Sequence, residues 1–531
     1  MTPRVLQRFA ALMGIVGAAV VLAVAELLSL IAGAAGSPLF AVGSLVIDSV
    51  PGWVKNVVVA LFGTGDKVAL LVILAIVIIL LAALAGVLEL RRSPFGVILF
   101  GIAAIFALIA VVTRSGSTSM NAVPTIVGAV AGVVVLRIGI QRLSSWQASD
   151  ERRATAAAAY EERTGRPSNS GAGPQVERRK FLTLAVASGV ASVIVGAGAR
   201  LANVGTTTVA AVRQKLTLPA PTTTAAPVPA GASLDVTGIS PIVTPVADFY
   251  RIDTALQIPA VNSDDWTLKI TGMVDNPISI DFKELLAKPL TEHMATLTCV
   301  SNDVGGNLIG NALWLGYPIR ELLAQASPKA GADMVLSTSI DGFTAGTPLD
   351  VLQDDGTEAL LAVGMNGKPL TAEHGFPVRM VVPGLYGYVS ATKWVVSLEV
   401  TKFSKAEGYW TPRGWSAKGP IKLSSRIDTP LDGESVADGK VPIAGVAWCQ
   451  HVGVSKVEVQ IDGGSWEDAT LADSISADTW RQWVYYWPAT KGRHEAKVRA
   501  TDANGVTQKS TYVPPDPNGS EGYASITFTV K

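Results

Sequence analysis

Four apolar runs, at about 11–33, 67–90, 95–113 and 122–140, are each close to the ~20 residues that a helix needs to cross a bilayer. They constrain the fold more than anything else in the chain. Residues 1–140 carry only 12 charged side chains, against 74 in the remaining 391. The alternative, core helices of a large soluble protein, fits poorly with four runs so free of charge. The expected arrangement is a four-helix transmembrane anchor, 1–140, on a soluble body. Basic residues orient it. Arg4 and Arg8 precede the first run, Arg91 and Arg92 separate the second and third, and Arg137, Arg142, Arg152 and Arg153 follow the fourth. The positive-inside rule puts these in the cytoplasm and puts the 34–66 and 114–121 loops outside, with Arg114 a minor exception.

Residues 141–180 read as a cytoplasmic polar segment, first helical and then Gly/Ser/Pro-rich. It ends in Arg178-Arg179-Lys180-Phe181-Leu182, before a modestly apolar stretch at 181–203. Paired arginines followed by Phe-Leu resemble a twin-arginine export signal. The same stretch reads equally as a fifth transmembrane helix, and an uncleaved signal is both. Five spans starting inside put everything after about residue 205 on the extracytoplasmic side of the plasma membrane. None of the spans contains histidine, which excludes a bis-histidine haem in the bilayer; no haem is expected. Residues 204–233, dense in Pro, Thr and Ala, read as an extended linker.

The soluble part divides in two. Residues 234–415 mix short strands with helices at Phe282–Ala287, Ile319–Ala326 and Glu358–Val363, an α+β pattern. Residues 416–531 are a run of short alternating strands, the pattern of an immunoglobulin-like sandwich. Lys+Arg and Asp+Glu are 43 each, so nothing points to nucleic acid. The two cysteines, Cys299 and Cys449, exclude a disulfide-rich scaffold, a Cys-ligated zinc site and a four-Cys iron–sulfur cluster. Trp480, Trp483 and Trp487 read as sandwich core and interface, Cys449 as apolar filler, and His451 and His494 as structural or surface groups.

Cys299 ends an apolar strand and opens a Gly/Asn loop, where a fold presents reactive groups. Its thiolate suits a soft metal or a nucleophile, while an inert buried thiol is the bland alternative. His374, Arg379 and Lys393 fall within 20 residues of one another among glycines. Such a set suits an anionic ligand that the backbone approaches closely. A basic surface loop is the other reading.

With these residues in view, the chain resembles the sulfite oxidase family of molybdenum-cofactor enzymes over about 235–531. The resemblance rests on Phe249-Tyr250-Arg251-Ile252-Asp253, Cys299, Trp314–Leu323, Asp341–Leu349, Met365–Leu370, the His374/Arg379 block and Lys393-Trp394. In the tail it rests on Ser425–Pro430, Gly445–Trp448, Asp462-Gly463-Gly464 and Arg499–Asp502. It implies that Cys299 ligates molybdenum, and that His374, Arg379 and Ala391-Thr392-Lys393 hold molybdopterin and its phosphate. Tyr250, Arg251 and Asp253 would line the cofactor cleft, with Asp341 a less secure contact. It implies two-electron Mo(VI)/Mo(IV) oxygen-atom transfer and a β-sandwich of the dimerisation type, hence a homodimer.

Two departures bear on substrate. The segment after Cys299, Val300-Ser301-Asn302-Asp303-Val304, lacks the arginines that bind sulfite in the family, and the family's active-site tyrosine falls at Phe343. Asp303, if it faced the metal, would repel an oxyanion; Arg251, Arg413 and Arg426 are the candidate arginines from other segments. The expectation is an enzyme acting on a small sulfur- or nitrogen-containing substrate, set in membrane lipid, with a separate cytochrome or quinone as electron partner. A sulfoxide or N-oxide reductase is the alternative within the family. A non-catalytic surface binding protein is the alternative outside it.

Overall fold

The computed structural model describes residues 2–32, 36–50, 54, 58, 61, 66–114, 119–165, 176–203 and 212–531. The chain divides into two compact units, 1–205 with 255–257, and 206–254 with 258–531.

The first unit is helical: α1 (Pro3–Ala32), α2 (Pro38–Ser49), α3 (Asp66–Arg91), α4 (Phe95–Val112), α5 (Ala122–Thr164) and α6 (Val176–Asn203). All but α2 are long and apolar enough to cross a membrane. The fourth apolar run and the start of the polar segment form one continuous helix, α5, ended by Gly165 in the left-handed region. Residues 166–175, expected to be loose, lie outside the described residues, as does most of 51–65. The 34–66 loop contains a helix of its own, α2.

Small residues set the helix spacing. A Cβ on Gly86 would lie 1.9 Å from the Ala10 carbonyl oxygen, and one on Gly14 would lie 1.9 Å from that of Ala82. The α1 and α3 backbones are therefore in direct contact, the close approach that small residues permit between apolar helices. Phe9, Trp146 and Phe181 tie α1, α5 and α6 together, with ring centroids 5.3–5.9 Å apart.

The second unit begins with two sheets. The first has strand order β2-β1-β10-β5-β6, with β1 (Thr267–Gly272), β2 (Ile278–Asp281), β5 (Met334–Ser339), β6 (Thr344–Pro348) and β10 (Val395–Thr401). Only β1 and β10 pair in parallel. The other sheet is antiparallel, ordered β3-β4-β7-β8, with β9 on β7. Its strands are β3 (Thr291–Thr298), β4 (Ile309–Pro318), β7 (Leu360–Met365), β8 (Lys368–Pro369) and β9 (Arg379–Val381). Helix α7 (Phe282–Leu286) starts with a full capping box between Asp281 and Glu284; α8 (Ile319–Ala326) and α9 (Leu349–Gln353) complete the domain.

One expected helix is a strand. Glu358–Val363 was read as helical, but Leu360–Met365 is β7, paired with β4 and β9 and buried at every position. A strand covered on both faces is apolar throughout and loses the alternation that would identify it.

Residues 424–530 form a two-sheet sandwich, as expected for an all-β tail. One sheet is β11 (Ser424–Thr429), β13 (Gly439–Trp448), β17 (Arg481–Ala489) and β16 (Thr470–Leu471). The other is β12 (Ser435–Val436), β19 (Ala524–Val530), β18 (Gly492–Asp502), β14 (Val454–Ile461) and β15 (Trp466–Asp468). Ile443 and Trp483 from the first sheet pack on Val457, Val498 and Phe528 from the second. Trp480 instead joins Ile309, Val446 and Trp448 between the sandwich and the preceding α+β domain.

The edge of β3 is closed from two sides. The linker residues Thr222 and Thr223 pair with Leu290 and Glu292, with hydrogen bonds of 2.7 and 2.8 Å. From residue 212 the linker is thus a strap on the domain, not a free spacer. An exposed strand edge offers the unpaired backbone groups that bond it. Further along β3, Thr296 donates to the Asp478 carbonyl and accepts from the Gln450 side chain, both at 3.0 Å. Asp478 also bridges two histidines, His293 Nε2 at 2.9 Å and His451 Nδ1 at 3.0 Å, which hold its carboxyl far below the usual range.

Gly86→Leu is expected to force α1 and α3 apart and lower the thermal midpoint of the detergent-solubilised chain, at an overpacking cost of at least ~1–3 kcal/mol. Val72→Leu, on an exposed face of α3, should leave the midpoint unchanged. Equal midpoints for the two variants would contradict the contact.

Candidate active site

Cys299 follows the last residue of β3 and opens the turn into β4. Its N–H donates to the Leu308 carbonyl at 2.9 Å, and its own carbonyl accepts from Asn302 at 3.0 Å. The Asn302 side chain accepts from Leu308 at 2.7 Å and closes the loop. The thiol is buried; burial pushes it up, against hydrogen bonds from Ser301. Such a thiol is a poor free nucleophile, but a metal ion would deprotonate it. The histidine of the predicted site, His374, has its Nε2 bonded to the Val246 carbonyl at 3.1 Å.

Two tyrosines feel the sulfur. Burial, then the charge on Cys299, push the Tyr250 hydroxyl far above its usual range. Tyr386 is pushed up to about 12, first by burial, with Cys299 contributing. A Cβ on Gly387 would lie 4.0 Å from both the Tyr250 hydroxyl and the Thr298 carbonyl. Gly387 thus keeps open the space between the end of β3 and Tyr250. Tyr386 was not singled out as a site residue; the signal was a tyrosine beside a glycine in an otherwise apolar segment.

The cations gather around one carboxylate. Asp253 Oδ2 accepts from Arg251 Nε at 2.9 Å and from Lys393 Nζ at 2.8 Å, and Lys393 also donates to the Glu373 carbonyl at 3.1 Å. Arg379 opens β9, 5% exposed. It donates only weakly, to the His374 and Met380 carbonyls at 3.4 and 3.3 Å, and lies 5.0 Å over the Trp314 ring. Burial drives Arg379 down to about 10 and, against the pull of Asp253, Lys393 down to about 8. Burial and Arg379 hold His374 down to about 4. Gly375, at φ +104°, lets the backbone pass, because a Cβ there would meet those of Arg379 and Lys393 at 3.0 and 3.1 Å.

The structure therefore brings together Tyr250, Arg251, Asp253, His374, Arg379 and Lys393. The remaining predicted residues stand around them. Ala391 donates to the Gly387 carbonyl at 2.9 Å. Thr392 is buried with its hydroxyl on Ser337 at 2.7 Å, so that side chain faces the sheet. Asp341 sits in the β5–β6 turn, where it accepts from Phe343 N at 3.3 Å; the turn bonds the Trp394 carbonyl through Ile340 N at 3.0 Å. The Phe343 ring packs 5.8 Å from Tyr409 in an aromatic chain through Trp410 and Trp415 to Tyr388.

Two sequence arguments change. Asp303 is exposed and accepts from the Tyr512 hydroxyl at 3.1 Å, so it is engaged by the sandwich. Arg426 is buried and committed to Asp428, the Gly306 carbonyl and Ser240. Arg413 lies 3.7 Å over the Tyr409 ring. Of the three candidate arginines, Arg251 is the one within the cation cluster.

Comparison with known proteins bears on this site. A family model described as an oxidoreductase molybdopterin binding domain matches residues 255–410. Mitochondrial sulfite oxidase of Homo sapiens is 29% identical over 320 residues, covering 51% of this chain and 58% of the human protein. The chain thus spans little more than half of that relative's length. The uncharacterized oxidoreductase YuiH of Bacillus subtilis is 34% identical over 154 residues, covering 29% of this chain and 74% of YuiH. Among solved structures, the sulfane dehydrogenase SoxCD from Paracoccus pantotrophus aligns with a TM-score of 0.48 at 22% identity, covering 56% of this chain and 82% of that one.

The depressed His374 gives a pH prediction. Its folded value, about 4, lies below the ordinary 6.5, so between them the unfolded chain binds more protons. Stability of the cofactor-free protein should fall as pH drops through that window, by roughly 3 kcal/mol from this residue alone. Denaturant titrations at several pH values should show a flatter profile for His374→Gln; parallel profiles would mean that His374 titrates normally.

Proposed function

We propose that this chain, which belongs to the sulfite oxidase family of molybdopterin-dependent oxidoreductases, is a membrane-anchored enzyme that transfers an oxygen atom outside the cytoplasm. The observation that carries the reading is the surplus of buried positive charge beside Cys299. Arg379 and Lys393 are buried and Arg251 stands at the exposed rim. Asp253 pairs with Arg251 and Lys393, Glu373 lies near Arg251, and Arg379 meets carbonyls and a ring. Buried cations without counter-charge are costly, and an anionic cofactor supplies what is missing. The residues thus fit molybdopterin.

When bound, molybdenum–molybdopterin supplies two-electron oxygen-atom exchange with the substrate. Cys299 would hold the metal, losing its proton on binding. Arg379 and Lys393 would hold the pterin phosphate, and His374, neutral with its Nε2–H donated to the Val246 carbonyl, would offer Nδ1 as an acceptor to a donor group of the cofactor. Arg251 would be kept in place by Asp253, and Tyr250 would present its hydroxyl beside the sulfur. Gly375 and Gly387 leave the backbone free for close approach.

The pocket chemistry favours a neutral or zwitterionic sulfur or nitrogen oxide over sulfite. Residues 300–308 contain no arginine, and Phe343 has no hydroxyl to donate. The same observations favour a second direction, reduction of sulfoxides or N-oxides, by the same residues. Electrons would pass to or from a separate cytochrome or quinone. We read the sandwich as an immunoglobulin-like dimerisation module and the Arg178-Arg179 segment as an uncleaved twin-arginine signal, which suits export of a folded, cofactor-loaded protein.

Cys299→Ser should abolish turnover and lower molybdenum content while the protein still unfolds cooperatively, because an alcohol is a poor soft-metal ligand. Cys449→Ser, in a half-buried position of the sandwich, should keep both. Normal turnover by Cys299→Ser would end the molybdenum reading. A steady-state comparison of sulfite, methionine sulfoxide, dimethyl sulfoxide and trimethylamine N-oxide, with donor and acceptor dyes, should rank sulfite last. A micromolar Michaelis constant for sulfite, usual for a true substrate, would show that Arg251 or Arg413 supplies the missing clamp.

A further inference from the structure

Two connected grooves run along α6. At its start, Arg142 of α5 and Arg178, Arg179 and Lys180 of α6 line a groove of about 880 Å³. Leu182, Thr183 and Ala187 are shared with a second groove of about 640 Å³, which continues past Val186, Val190 and Ile194. From Lys180 to Ile194 the helix rises roughly 20 Å, more than the ~15 Å of hydrocarbon in one leaflet. The result is a cationic head on a shallow, open apolar trough whose lining residues all come from α6.

Two of these four charges, Arg142 and Arg179, stand apart from the others. Lys180 pairs with Glu177 at 2.8 Å, and Arg178 lies 5.9 Å over the Trp146 ring. Arg142 and Arg179 have no carboxylate partner among the described residues. Val186, Val190 and Ile194 are 53–66% exposed, an unpartnered apolar wall directly beyond the arginines.

We propose that this groove binds an anionic phospholipid, with its phosphate between Arg142 and Arg179 and one acyl chain along Val186, Val190 and Ile194. Charge complementarity selects this occupant. A free phosphate or nucleotide would leave the trough uncovered, and a zwitterionic lipid would bring its own cation to the arginines. The basic flank also belongs, by the positive-inside rule, in the leaflet where anionic lipids attract Arg and Lys. The inference rests on the membrane-anchor part of the functional reading but not on the molybdenum chemistry.

The test uses the full chain, extracted in mild detergent and returned to phosphatidylcholine nanodiscs with or without phosphatidylglycerol. Native mass spectrometry reads the lipid retained after release, and thermal melts read stability. Phosphatidylglycerol should stay bound and raise the midpoint, whereas phosphatidylcholine and inorganic phosphate should do neither. Arg142→Gln, which spares the paired arginines, should cut retained phosphatidylglycerol about five-fold. Arg142→Lys should keep most of it. Val190→Trp, which fills the trough and keeps every charge, should cut it similarly and decides the matter if Arg142→Gln does not fold. Equal retention of both lipids, or full retention by Val190→Trp, would overturn the proposal. Release of the chain from membranes by a carbonate wash would instead overturn the membrane reading and remove the site with it. A chain that resists the wash yet shows no lipid preference rejects the lipid site alone.

Discussion

A single carboxylate, Asp253, organises the site. It reaches two cations through one oxygen, while a third, Arg379, is buried nearby against carbonyls and the Trp314 ring. Burial drives Lys393 and Arg379 down, so holding their charge costs the folded domain part of its stability. A region like this binds anions well because its cost has already been met in folding, and because its donors are fixed by sheet and loop before any ligand arrives.

The fold makes that arrangement possible by bringing three distant segments to one place. Tyr250–Asp253 comes from the approach to the domain, Cys299 from the end of β3, and His374–Lys393 from the loops around β9. Glycines permit the meeting at Gly375 and Gly387, where a side chain would fill the space. The sandwich then pins β3 from behind. Gln450 and the Asp478 backbone bond Thr296, and the Asp478 carboxylate bridges His293 and His451. Hydrogen bonds to the charged form dominate there, which keeps Asp478 ionised.

The helical unit follows a different physics. Its helices meet through small residues and an aromatic knot, the close backbone approach that small residues permit between apolar helices. Gly14 and Gly86 set the α1–α3 distance. Arg179, which has no carboxylate partner among the described residues, sits at the start of α6 where an apolar trough begins.

Local information in the sequence was enough for the five long apolar helices and the strands of the sandwich, and it singled out the cysteine, histidine and basic residues that stand near one another in the fold. Each of these depends on periodicity, composition or residue chemistry within a short window. The sequence failed where the outcome depended on what lay across the fold. Leu360–Met365 is a strand because β4 and β9 cover it, and an apolar run carries no period to say so. The Pro/Thr/Ala segment is a strap because β3 leaves an edge to bond. Asp303 faces Tyr512, and Arg426 is held by Asp428 and Ser240, so neither charge bears on substrate as its position in the chain suggested. Residue types were written in the chain, but which charges face one another was decided only in the tertiary structure, because pairing depends on distances that no local pattern encodes.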